Sequence, residues 1–113
     1  MKFNAREDIE APIAKVWAIV NDFDSFELAA LRRGIQVTRQ DDGDTPAWQL
    51  AFAFKGKPRQ VVVRLEQREE PGLLVFAGDG RAIAATMVVE LVELGPRRTR
   101  VTVSTELRPL TLA

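Results

Sequence analysis

Cysteine, histidine and tyrosine are all missing from the 113-residue sequence. Without cysteine there is no disulfide framework, no thiolate nucleophile and no thiolate metal site. Without histidine the commonest general base and the commonest metal ligand are gone. An excess of one charge is lacking too: 16 basic residues balance 16 acidic ones. That balance argues against nucleic-acid binding, which needs a basic face to displace counterions. No apolar run approaches the ~20 residues of an integral membrane segment, and the opening Met1-Lys2-Phe3-Asn4-Ala5-Arg6-Glu7-Asp8 lacks the apolar stretch of a signal peptide. The sequence calls for no cofactor and no metal. What is left is a single domain over residues 1–113, expected in the cytoplasm, with 46% hydrophobic residues to build a core.

What is present is patterned. Met1 to Glu10 reads as a strand, with Phe3, Ala5 and Ile9 loosely alternating with polar residues. Pro12 suits the first turn of a helix, where its missing N–H costs nothing, and Ile13, Val16, Trp17 and Val20 follow at the spacing of one helical face. Asn21-Asp22-Phe23-Asp24 breaks that helix; Asp24 and Glu27 read as the capping box of a second one. Its buried side is expected to be Phe26, Ala30 and Leu31, and Gly34 fits the left-handed stop.

The remainder is strand and turn. Strands are expected at Ile35–Gln40, Ala47–Lys55, Arg59–Arg68, Leu73–Ala77, Arg81–Leu94 and Arg98–Leu107. Turns fall at Asp41-Asp42-Gly43-Asp44, Gly56, Glu70-Pro71-Gly72, Gly78-Asp79-Gly80 and Gly95-Pro96. The fold class is therefore α+β: one strand, two short helices, then a six-stranded antiparallel meander. A meander with one apolar face needs a cover, and two short helices are too small to supply it. The sequence stops at Arg108-Pro109-Leu110-Thr111-Leu112-Ala113, so a carboxyl-terminal covering element is expected but absent. An uncovered face of this kind leads to the expectation of a homodimer through the sheet.

The segment Ile9-Glu10-Ala11-Pro12-Ile13-Ala14-Lys15-Val16-Trp17, followed by Asn21-Asp22-Phe23-Asp24-Ser25-Phe26-Glu27, resembles the opening of the START-like superfamily. That superfamily includes polyketide cyclases, lipid-transfer domains and birch-pollen-allergen-like proteins. The resemblance spans the whole chain and implies a helix-grip fold, in which a long carboxyl-terminal helix lies in a curved sheet above a ligand cavity. It also implies an apolar small molecule, such as a lipid, a quinone or a polyketide-like compound, as the partner.

Trp48, Leu50, Phe52 and Phe54 form one face of a strand. Such a stripe is core packing or the wall of an apolar cavity, and both hold when the core beneath a gripping helix is underfilled. With them, Val61, Val63, Val75, Met87, Val101 and Thr105 complete the candidate cavity lining. Trp17 is expected to pack under the sheet instead. Polar groups on the inner face are few: Thr105 by alternation, with Glu10 and Arg81 at strand ends. No catalytic residue stands out, because the acids gather in turns. Three functions follow from these residues: non-catalytic binding of a hydrophobic ligand, a cyclase or dehydratase reaction on an aromatic or polyketide-like substrate, and an accessory role docking a larger partner.

Overall fold

The computed structural model describes residues 1–110, the side chain of Phe54 excepted. Its elements run β1 (Lys2–Ile9), α1 (Ile13–Val20), α2 (Phe23–Arg32), β2 (Gln36–Arg39), β3 (Ala47–Phe54), β4 (Lys57–Glu69), β5 (Leu73–Gly80), β6 (Ile83–Gly95) and β7 (Arg98–Pro109). The strands make a single seven-stranded sheet in the order β1-β7-β6-β5-β4-β3-β2, and every pairing is antiparallel. The expected order of strand, two helices and six-stranded meander is the one observed, and β1 closes one edge by pairing with the last strand. Among the described residues no helix follows β7, and none is long and apolar enough to cross a membrane.

The core sits where α1 meets the sheet. Val16 and Trp17 are buried against Leu65, Leu74, Val89 and Leu91. Val16 and Trp17 share one helical face, and Leu74 and Val89 are cross-strand partners. Trp17 thus packs beneath the sheet, as its helical position implies. A second tie is polar. Thr99, fully buried, donates its hydroxyl proton to the Ala11 carbonyl at 2.8 Å, fixing the turn between β1 and α1 to the start of β7.

The break between the helices is built differently from the expectation. The second helix begins at Phe23 and its N-cap is Asp22, whose carboxylate accepts from the Ser25 N–H and hydroxyl. Asp24 lies inside the first turn, so Asp24 and Glu27 form no capping box. Asp22 wins because Asn21 already caps the preceding helix, its side-chain amide donating to the Trp17 carbonyl, which leaves a single residue free to start the next one. Gly34 takes the left-handed conformation at φ +83°, as a helix stop requires.

Two irregularities set which side chains face inward. Between Leu65 and Gln67 the pairing with β5 slips by one residue, a bulge that turns Arg68 inward to donate to Asn21 at 3.3 Å. Gly78-Asp79-Gly80, expected as a turn, belongs to β5, and the chain reverses at Arg81-Ala82. These glycines serve close packing: a β-carbon on Gly80 would stand 3.2 Å from Ile83 Cγ2.

Leu74→Ala should cost ~2–5 kcal/mol, since Leu74 is only 1% exposed. Thr99→Val keeps the shape but strands the Ala11 carbonyl, for a loss of ~1–3 kcal/mol. Urea unfolding of both variants checks this. A Thr99→Val protein as stable as the parent would show that the hydroxyl does not hold the β1–α1 turn.

Candidate functional site

Beyond the α1 core the inner face of the sheet continues, and α2 stands over it. Phe23, first residue of α2, meets Trp48 edge-on with ring centroids 5.2 Å apart and Phe76 at 6.2 Å, while Trp48 and Phe76 lie 6.1 Å apart. Such edge-to-face contacts contribute ~0.5–1.5 kcal/mol beyond the area they bury. The triangle props the helix off the strands and leaves a cavity of about 350 Å³. Its floor is Leu50, Val63, Leu74, Met87, Val89, Val101 and Val103; its roof is Val20, Phe26 and Ala30.

One ionisable side chain reaches this cavity among the described residues, that of Glu27. It follows Phe23 by four residues and precedes Ala30 by three, so all three share the lower face of α2. Its carboxylate lies 3.6 Å from the Arg39 guanidinium. Arg39 is directly opposite Trp48 in the β2–β3 ladder and sits over the indole, 5.1 Å from the ring centroid. It also donates to Asp41. That hydrogen bond raises Arg39 above its ordinary value, and the same bond, followed by one from the Ala47 N–H, holds the Asp41 carboxyl below its own. Asp41-Asp42-Gly43-Asp44 is accordingly a turn that anchors Arg39, and no metal-holding cluster is found among the described residues.

The ten candidate positions divide. Trp48, Leu50, Val63, Met87 and Val101 line the cavity under α2. Phe52 and Val61 line a second depression of about 1040 Å³ further along the same face. Thr105 pairs with Met87 on the inner face and lines neither hollow. Phe54 belongs to β3, but its side chain lies outside the described residues. Val75 is a correction: it pairs with Val88 and points to the opposite face from Leu74 and Phe76. Leu73 to Ala77 is apolar at every position, so alternation there carries no phase information. Gly78 and Gly80, paired with Val63 and Val61, hold the signal that would have set it.

The helical side differs as well. Phe26 and Leu31, expected to be buried, are both about half exposed, at 52% and 51%. Phe23, which the sequence pattern reads as part of a break, opens α2 and meets the Trp48 ring, and Glu27, which the same pattern assigns to a cap, lines the cavity.

Across the chain, the family model described as "Polyketide cyclase / dehydrase and lipid transport" matches residues 1–112. Among solved structures the chain is similar to the Zhui aromatase/cyclase from a Streptomyces species, at 12% identity and a TM-score of 0.76, covering 100% of this chain and 70% of that one. It is similar to norcoclaurine synthase from Thalictrum flavum, at 13% identity and a TM-score of 0.76 over 97% and 70% of the two chains. A START superfamily protein from Mycobacterium smegmatis matches at 16% identity and a TM-score of 0.68, over 96% and 77%. At these identities the likeness is one of fold. Among curated proteins no sequence matches the chain.

The lowered carboxyls give a pH dependence of known sign. Asp8, hydrogen-bonded first of all by Arg100, is held below its ordinary value, as is Asp41. Each therefore stabilises the fold above its unfolded pKa, and the contribution fades as the pH falls through the lower folded pKa. Urea midpoints should drop as the pH is taken below ~4, and Asp41→Asn should flatten that decline. An unchanged slope in Asp41→Asn would show that the Arg39–Asp41 pair contributes nothing to it.

Proposed function

Because the chain belongs to the polyketide cyclase, dehydrase and lipid transport family, we propose that it binds a small hydrophobic molecule in the cavity beneath α2 and performs no chemistry on it. The supporting observation is the cavity itself. Its volume of about 350 Å³ falls at the lower end of the ~300–1,000 Å³ of small-molecule sites, and its wall is apolar apart from Glu27. General acid–base catalysis needs a group poised to move a proton within reach of the substrate. The sequence contains no histidine, cysteine or tyrosine to do so, and Glu27 is turned toward Arg39. An aliphatic or aromatic group matches such a wall, since its transfer from water is driven by the apolar area it buries.

Glu27 also supports a second reading, a cyclase or dehydratase acting on an aromatic or polyketide-like substrate. In that case the carboxylate would take a proton from the bound molecule while Arg39 steadied the charge. Glu27→Gln separates the two, for it keeps the shape of the wall and removes the base. Under the binding reading, affinity for a neutral ligand is retained in Glu27→Gln; under the catalytic reading, turnover of an aromatic polyketide substrate is lost with it.

Titration with the neutral dye N-phenyl-1-naphthylamine should give a saturable rise in dye fluorescence. Met87→Trp, which fills the cavity, should abolish it in a protein that keeps its far-ultraviolet circular dichroism. Leu28→Ser, on the exposed side of α2, should leave it unchanged. A response that survives Met87→Trp and disappears in Leu28→Ser would place the dye on the surface and contradict the proposal.

A further inference from the structure

The second depression is a continuation of the cavity. Leu50 is followed two residues on by Phe52, Val63 is preceded by Val61, and Met87 by Ala85, so each strand carries the inner face from one hollow to the other. Two residues of strand advance ~7 Å. The floor between them is low, because Gly78 and Ala85 are cross-strand partners there and neither has a side chain large enough to divide the trough. At its far end the lining changes character. Arg59 and Arg81 stand at the rim among Phe52, Val61, Ile83 and Leu107.

Arg39, Arg64, Arg98 and Arg100 each hold a carboxylate: Asp41 and Glu27, Asp79 and Glu66, and, for the last two, Asp8. Arg59 and Arg81 are exposed and have no carboxylate partner among the described residues. Arg6, Arg68 and Arg108 on the sheet have no carboxylate partner among the described residues either; Arg59 and Arg81 are set apart by lining an apolar depression. The lining of the depression contains no aspartate or glutamate. A trough that is apolar beneath α2 and bordered at its far end by two guanidinium groups with no carboxylate partner among the described residues has the polarity of an amphiphile.

Resting on the ligand-binding reading above, we infer that the ligand is an apolar chain ending in an anionic group, its tail under α2 and its head at Arg59 and Arg81. The head is oriented by charge-assisted hydrogen bonds from the guanidinium forks, which suit planar carboxylate and tetrahedral phosphate oxygens alike. The tail supplies affinity through buried area, and the head sets the direction in which the molecule enters.

Calorimetric titration with dodecanoate, dodecyl phosphate and dodecanol tests this, since the three share a tail and differ in the head. Dodecanoate or dodecyl phosphate should bind ~tenfold more tightly than dodecanol, and whichever is tighter names the head. In Arg59→Gln/Arg81→Gln, two exposed substitutions away from the core, the preference should vanish while dodecanol affinity is unchanged. Equal affinities in the parent protein, or a preference that persists in the double variant, would overturn the inference and leave hydrophobic binding intact. Binding of none of the three would overturn both.

Discussion

The contact of Phe23 with Trp48 and Phe76 is the constraint on which the rest of this molecule depends. A seven-stranded sheet with one apolar face would ordinarily be covered as closely as side chains allow, at crystal-like density. Here α1 does so, burying Val16 and Trp17 to 1% and 8% exposure. The second helix does not. Its first residue is an aromatic ring braced edge-on against two others, and the rest of the helix follows from that anchor at a height set by the rings. The underfilled volume is a consequence of where one phenylalanine stands.

Polar chemistry reinforces the same geometry from outside. Arg39 covers the outer side of the Trp48 indole and joins α2, through Glu27, to the turn at Asp41. Each of these pairs is partly exposed, and such pairs contribute little singly. Their value lies in direction: the helix is tied at its middle to β2, while Asn21 ties its start to α1 and to Arg68 on β4. The cavity wall is therefore held on both sides by groups that take no part in its lining, Glu27 excepted.

Much of this was readable in the sequence wherever a strand alternated. Trp48, Leu50 and Phe52 announce the inner face of β3, and Met87 and Val101 that of β6 and β7, because smaller or polar neighbours on the opposite face fix the phase. Where apolar residues run without interruption, as from Leu73 to Ala77, the pattern carries no phase, and Val75 lies on the face opposite to the expected one. Register there depends on the bulge after Leu65 and on two glycines read as a turn. The helical half was less legible still. Choosing Asp22 over Asp24 as the cap shifts the helix start by two residues, and that shift carries Phe23 into the site and Glu27 with it. The family resemblance in the opening residues carried the architecture correctly, and it assigns no role to Glu27, Arg59 or Arg81.

The account stands or falls on where an apolar molecule goes when it binds. Isotope-filtered nuclear Overhauser spectroscopy with N-phenyl-1-naphthylamine answers this directly, because Met87 carries a methyl group at the centre of the cavity floor and Val75 and Val88 carry methyls on the opposite face of the same strands. Cross-peaks from the dye to Met87, Val63 and Val103, with none to Val75 or Val88, are the predicted result. Cross-peaks confined to Leu28 and Leu31 on the exposed side of α2, with Met87 silent, would contradict it.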